Sequence, residues 1–181
     1  MSASYKMKAA LKQYVISPLM DAGFTGKYPH FRREYNDRIE LLFFQTNKWG
    51  NSFTVEISVV YTNQQGWAAN FLSDDNSVPF SEAKVPHTNY RFRLKGMYDG
   101  WFYYSDLYCF EIKSHKFYHA VGEKAAFSYV PQANEYLVQK ADDSIYGKIC
   151  DEVNKQMPSA FQWWQKMEKK KRIHRLRILN R

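Results

Sequence analysis

Glu111, His115 and His119 stand four residues apart. On a helix this spacing puts two imidazoles and a carboxylate on one face, where they hold a divalent metal that activates water. On a strand the same spacing leaves successive members about 13 Å apart. Tyr108, Phe110 and Ile112 alternate with Cys109, Glu111 and Lys113 on the approach, which predicts a strand, and no further ligand or supporting partner is legible nearby. The expectation is therefore no metal and no cofactor, and a metal-dependent enzyme using Glu111, His115 and His119 stands as an alternative. Elsewhere the chain offers no nucleophile beside an evident base and no glycine loop shaped for phosphate.

Three other groups of residues suit binding. Gln45 shares its parity with Ile39, Leu41 and Phe43, so an amide enters a face that is otherwise apolar, where an unpaired polar group costs about 1–3 kcal/mol. It would either tie the strand end to the turn at Asn47 or orient a ligand beside Trp49. Arg91, Arg93 and Lys95 alternate with Tyr90, Phe92 and Leu94. If the strands adjoin, they would pair with Glu40 and Glu56 on an exposed sheet face, or leave a cationic face for single-stranded nucleic acid or an acidic partner. Third, the C-terminal segment holds Lys169, Lys170, Lys171, Arg172, Arg175 and Arg177, with Ile173, Leu176 and Leu179 recurring every three residues. Such a segment attracts phosphate backbones, anionic membrane surfaces or acidic proteins, or docks its apolar stripe with the cations solvated.

The formal net charge is +8, and the last sixteen residues carry eight Lys or Arg against one Glu. The rest of the chain is thus almost neutral, and the pI of 9.3 is a property of the C-terminal end rather than of a basic fold. With 181 residues, 45% apolar and 18% aromatic, the chain supports one sizeable core. Residues 1–168 are expected to form a single domain, with 169–181 as a basic extension. Cys109 and Cys150 are too few for a disulfide framework and fall in core-like segments, so both read as buried thiols. No apolar run approaches the roughly 20 residues of a membrane span, and the N-terminus lacks the apolar core of a secretion signal. The expected location is the cytoplasm.

Several elements follow from residue spacing. Leu11, Val15 and Leu19 give helical periodicity from Tyr5 to Asp21, with a break expected near Ser17 because Pro18 cannot sit in an unbroken helix interior. Gly23 supplies the left-handed stop. His30–Tyr35 and Arg38–Gln45 form a hairpin about Asn36-Asp37, the stretch Asn47–Asn51 reverses the chain again, and Phe53, Val55, Ile57, Val59 and Tyr61 mark a strand. Thr62–His87 reads as a long polar surface connection with a short helix near Trp67–Leu72. Further strands are expected at Tyr90–Leu94, Tyr108–Ile112 and Glu135–Lys140. Asp142 or Asp143 caps a helix through Ile145, Ile149 and Val153, and Pro158 is expected to start a separate helix.

The run of Gly23, Phe24, Phe31, Arg32, Arg33, Phe44, Gln45, Asn47, Phe53, Val55 and Ile57 resembles the bacterial family termed domain of unknown function 4304. The resemblance implies a small cytosolic α+β protein and brings no catalytic residue or cofactor with it. The fold expected is two-layer α+β, an antiparallel sheet of about five strands packed on one face by N- and C-terminal helices. The expected function is non-catalytic binding through protein contacts, with immunity to a toxin as its specific form, since aromatic-rich domains without a reaction centre suit inhibitory interfaces. Nucleic-acid binding through the C-terminal end is the alternative from a different class.

Overall fold

The structure, a computed structural model, describes residues 2–48, 52–61, 79–96, 100–104, 110–112, 117–119, 136–138 and 143–179. Its fold is α+β. The main sheet is antiparallel and runs β1 (Thr25–Lys27), β2 (His30–Glu34), β3 (Arg38–Thr46), β4 (Ser52–Tyr61), β5 (Arg91–Arg93), with β6 (Phe102–Tyr103) also paired to β4. The Asn36-Asp37 turn forms as its residues predict: Tyr35 donates to the Arg38 carbonyl at 2.8 Å, and Glu34 lies opposite Ile39. Strand β1 was not legible in Thr-Gly-Lys, which carries no apolar signal. Gly26 makes it feasible, with φ of +126° and a position where a Cβ would lie 2.5 Å from the His30 carbonyl oxygen.

Beyond Tyr104 the strands do not extend this sheet. Segments β7 (Phe110–Ile112), β8 (Phe117–His119) and β9 (Tyr136–Val138) form a second, three-stranded antiparallel sheet in the order β8-β7-β9. The expected helix near Trp67–Leu72 lies outside the described residues.

By spatial clustering the chain divides into two compact units, one of Met1–Ala22, Gln45–Val55 and Leu94–Gln156, the other of Gly23–Phe44, Glu56–Arg93 and Met157–Arg181. In the first, α1 (Ala3–Leu11) begins at Ser2, whose hydroxyl accepts the Tyr5 N–H at 3.3 Å. The break expected near Ser17 takes the form of a π-helical turn over Lys12–Ile16, after which a new α-helical segment, α2 (Ser17–Asp21), begins at Ser17. Pro18 has no N–H to offer the Tyr14 carbonyl. That oxygen instead accepts a 2.9 Å hydrogen bond from the Asn154 side chain. Lys6 and Asp143 close the same region with a 2.7 Å ion pair.

Asn154 belongs to α3, which runs from Ile145 to Leu179 with Pro158 inside it. The expectation of a new helix at Pro158 is therefore corrected. Ile145, Ile149, Val153, Met157, Ala160 and Trp164 are all buried, so the apolar stripe keeps its helical phase across the proline, and burial outweighs the lost backbone bond.

In the second unit α3 lies over one face of the sheet. Trp164 is buried, donates its indole N–H to the Ser58 carbonyl at 2.8 Å, and packs with Phe24 and Phe161. Beneath them Arg33 ion-pairs with Glu40 at 2.6 Å, and its guanidinium sits 4.8 Å from the Phe24 ring centre and 5.2 Å from that of Phe161. Arg38 reaches the other Glu40 oxygen at 3.3 Å.

The opposite face of the sheet is not solvated either. Ile39, Leu41 and Val60 pack there with Ala83 and Val85 from two 3₁₀ turns, Phe80–Glu82 and Val85–His87. The described end of the expected surface connection is thus a second covering layer, and every residue of β4 is buried. Glu40 and Glu56 are correspondingly only 3% and 4% exposed, which corrects their expected place on an exposed face.

Replacing Arg33 by Ala should strand the Glu40 carboxylate with Arg38 alone and cost roughly 3 kcal/mol, within the range for breaking a buried pair. Combining Arg33→Met with Glu40→Leu should cost less than either single change. Urea denaturation of the wild type, Arg33→Ala, Arg33→Met, Glu40→Leu and the double variant tests this, and an additive double mutant would show that the pair is not coupled.

Candidate functional site

The face carrying the 3₁₀ turns also carries a pocket of about 390 Å³, whose lining includes His30, Arg32 and Leu41 from the sheet and Ser81, Glu82, Ala83, Lys84, Val85 and His87 opposite. Strand alternation places the His30, Arg32 and Leu41 side chains on this side, while Phe31 and Leu42, of the other parity, also border the pocket. His30 and Arg32 share one parity in β2 while Phe31 and Arg33 take the other, and their register partners are Phe43 and Leu41. The His30 ring lies flat against Phe43, with ring centres 4.6 Å apart and planes 7° apart. Arg32 donates from Nη1 to the Ser81 carbonyl, which ties the two walls together.

The opposite wall is shaped by short-range bonds. The His87 N–H donates to the Lys84 carbonyl at 2.9 Å, and the Thr88 hydroxyl donates to the Val85 carbonyl at 2.7 Å. Arg91 then clamps the segment, donating to the Pro86 carbonyl at 3.0 Å and the Thr88 carbonyl at 2.8 Å. Its guanidinium also approaches Glu56 at 3.5 Å.

Four buried side-chain nitrogens of this pocket have no hydrogen-bond partner among the described residues: His30 Nδ1, Arg32 Nε, Arg32 Nη2 and His87 Nδ1. Arg32 Nε is 2.8 Å from a Glu34 oxygen, yet it is not aligned for a hydrogen bond, and the Glu34 side chain is 64% exposed, so water competes for that carboxylate. Burial holds the His30 pKa below its ordinary value, and the nearby Lys84 and His87 charges push it the same way. An anion entering here would find cationic and polar groups that nothing else in the pocket satisfies.

The residues singled out from sequence lie elsewhere. Arg93 is paired with Glu56 at 2.6 Å, and Arg91 holds the 86–88 segment, so these two build the fold around the pocket and do not line it. Gln45 is half-buried near the end of β3. The Asn47 N–H donates to the Ser52 carbonyl at 3.0 Å, closing the predicted reversal, while Trp49 lies outside the described residues. Lys169 and Lys170 are exposed on α3; Lys171, Arg172, Arg175 and Arg177 follow on the same helix, and their side chains lie outside the described residues.

The metal alternative required a helix, but Glu111 is in β7 opposite Tyr118 and His119 is in β8 opposite Phe110. His115 lies outside the described residues. Among the described residues no group of three His, Cys, Asp or Glu is placed to hold a metal ion, and no helix is long and apolar enough to cross a membrane. Cys150 is buried, and burial raises its pKa to about 12, so the thiol is inert; Cys109 lies outside the described residues.

A family model described as Domain of unknown function (DUF4304) matches residues 15–172. The chain belongs to that family. No curated protein and no solved structure matches it. The DUF4304 span contains the whole pocket and stops at residue 172, so Arg175 and Arg177 lie outside it. Sequence reasoning missed the pocket residues, although one signal was available: His30 and Arg32 place two polar groups on one parity of a strand whose hairpin partner, β3, is mostly buried.

The depressed His30 pKa has a sign that can be tested. The unfolded chain takes up a proton on His30 before the folded one does, so stability is full above an ordinary histidine pKa of about 6.5 and falls as the pH drops through the folded value. In urea denaturation followed from about pH 7 downwards, His30→Gln should flatten this early part of the fall. An unaltered pH dependence would show that His30 is not desolvated.

Proposed function

We propose that this protein is a non-catalytic binding protein of the cytosol that acts through protein contacts, with the pocket beside β2 as its point of engagement. An immunity-type inhibitor, which occupies its target by surface complementarity, is the specific form of this reading. The observation that carries it is the set of buried nitrogens left without partners on His30, Arg32 and His87. Buried polar groups are ordinarily satisfied, and an orphan costs about 1–3 kcal/mol. Four such nitrogens on three residues around one cavity are accounted for by a ligand group that binds there.

The test is affinity capture from extracts of the source cells. A partner retained by the protein should be lost with Arg32→Gln and kept with Lys170→Gln, which changes an exposed helix position remote in sequence from the pocket. Equal retention by both variants would refute the assignment of the pocket as the contact point.

A second reading, nucleic-acid binding, is favoured by the continuation of α3 to Leu179, which arrays Lys169, Lys170, Lys171, Arg172, Arg175 and Arg177 along one helix. Six phosphate contacts on a single strand predict a loss of roughly 10²–10³-fold in affinity between 50 and 200 mM salt. Truncation after Glu168 should abolish binding to a single-stranded oligonucleotide in fluorescence anisotropy. No binding by the full chain at low salt would eliminate this reading.

A further inference from the structure

We infer that the pocket beside β2 receives a single carboxylate carried on a compact apolar group. This inference rests on the binding reading above and narrows it to a ligand chemistry, without requiring that the ligand belong to a protein.

Charge sets the first limit. Among the lining residues Arg32 and Lys84 are cationic and Glu82 is anionic, a surplus of one positive charge. Glu34, paired with Arg32 but outside the lining and 64% exposed, offsets that surplus only weakly through water. A monoanion is matched by that surplus, whereas a phosphate dianion would bring uncompensated charge up against Glu82. Shape sets the second. Arg32 is already committed through Nη1 to the Ser81 carbonyl, and its Nη2 is left unpartnered to donate to an incoming oxygen. Histidine Nδ1 atoms on both walls are available to a second oxygen once protonated.

The remaining space requires more than an ion. A volume of about 390 Å³ is more than ten times the roughly 30 Å³ share of one water and falls at the small end of ligand pockets. Leu41, Ala83 and Val85 line it at only 1–2% exposure, a small apolar floor on which a compact hydrocarbon group beside the charge can rest. A short branched acid and the apolar C-terminal residue of a polypeptide share this chemistry. Because His30 is clamped on Phe43, it meets the carboxylate with little loss of side-chain freedom. The bound negative charge then favours the protonated imidazole, so binding takes up a proton.

The experiment is an NMR titration of the histidine ring protons in the full chain with N-acetyl-leucine, N-acetyl-leucinamide and inorganic phosphate. N-acetyl-leucine should shift the His30 resonance saturably, raise its titration midpoint, and bind at least about tenfold more tightly than the amide, as loss of a charge-assisted bond implies. Arg32→Gln should weaken it by about tenfold or more, and Lys84→Gln, at an exposed position that leaves the fold intact, should weaken it less. Equal binding of acid and amide, tighter binding of phosphate, or indifference to both variants would overturn the inference.

A short peptide ending in leucine with a free carboxylate separates the two sources. If it binds about tenfold more tightly than N-acetyl-leucine, the pocket reads a polypeptide C-terminus. If the two bind equally, the carboxylate assignment stands and the protein-partner reading fails.

Discussion

The buried carboxylate of Glu40 constrains the rest of its unit. A carboxylate at 3% exposure is strongly disfavoured unless it is paired and its oxygens are satisfied. Arg33 and Arg38 each take one of its oxygens, and this requirement reaches both the sheet and the helix above it. Arg33 can reach Glu40 only in the register that sets these residues opposite each other in β2 and β3, and a one-residue slip would put both on the other face. The guanidinium must then be covered, which Phe24, Phe161 and Trp164 do with their ring faces. The seat of α3 on the sheet is thereby tied to one charge. On the opposite face Glu56, paired with Arg91 and Arg93, has the matching role and holds β5 and the 86–88 segment in place.

How much of this was legible in sequence depended on whether the signal was local. The Asn36-Asp37 turn, the left-handed Gly23 with φ of +88° and the alternation of β4 are set by adjacent residues, and each formed where expected. Pro158 misled because its local preference for a helix start competed with a stripe of buried residues that keeps phase on both sides of it, and the longer pattern prevailed. The polar parity of β4 misled for a related reason. Glu56 reads as part of an exposed face, yet a polar residue is buried readily when its partner is supplied from distant sequence, as Arg93 supplies Glu56 across 37 positions.

The same distinction explains why the site was hard to find. The cations conspicuous in sequence, Arg91 and Arg93, alternate on one strand and invite the picture of a binding face, but their charges are engaged by Glu56. The residues of the pocket are inconspicuous: His30 and Arg32 lie in a hairpin strand, and Lys84 and His87 follow half a hundred residues later in a segment of mixed polarity. The packing of Ala83 and Val85 on Ile39, Leu41 and Val60, with the hydrogen bond from Arg32 to the Ser81 carbonyl, brings the two groups together, and no spacing rule encodes a contact made between unrelated segments.

Partner exposure, rather than arginine count, determines which cation can serve a ligand. Arg33 answers to Glu40 and Arg93 to Glu56, carboxylates whose side chains are 3% and 6% exposed. Removing either arginine would leave a buried charge, so neither is available to exchange partners. Arg32 answers to Glu34, whose side chain is 64% exposed and whose loss of a partner is made good by water. An exposed pair of that kind is worth about 0–1 kcal/mol, so a ligand can draw Arg32 away from Glu34 at small cost. Neighbouring arginines in β2 thus point to opposite faces of the sheet, Arg33 fixed by what it stabilises and Arg32, held through Nη1 to Ser81, still able to offer Nη2 to what arrives.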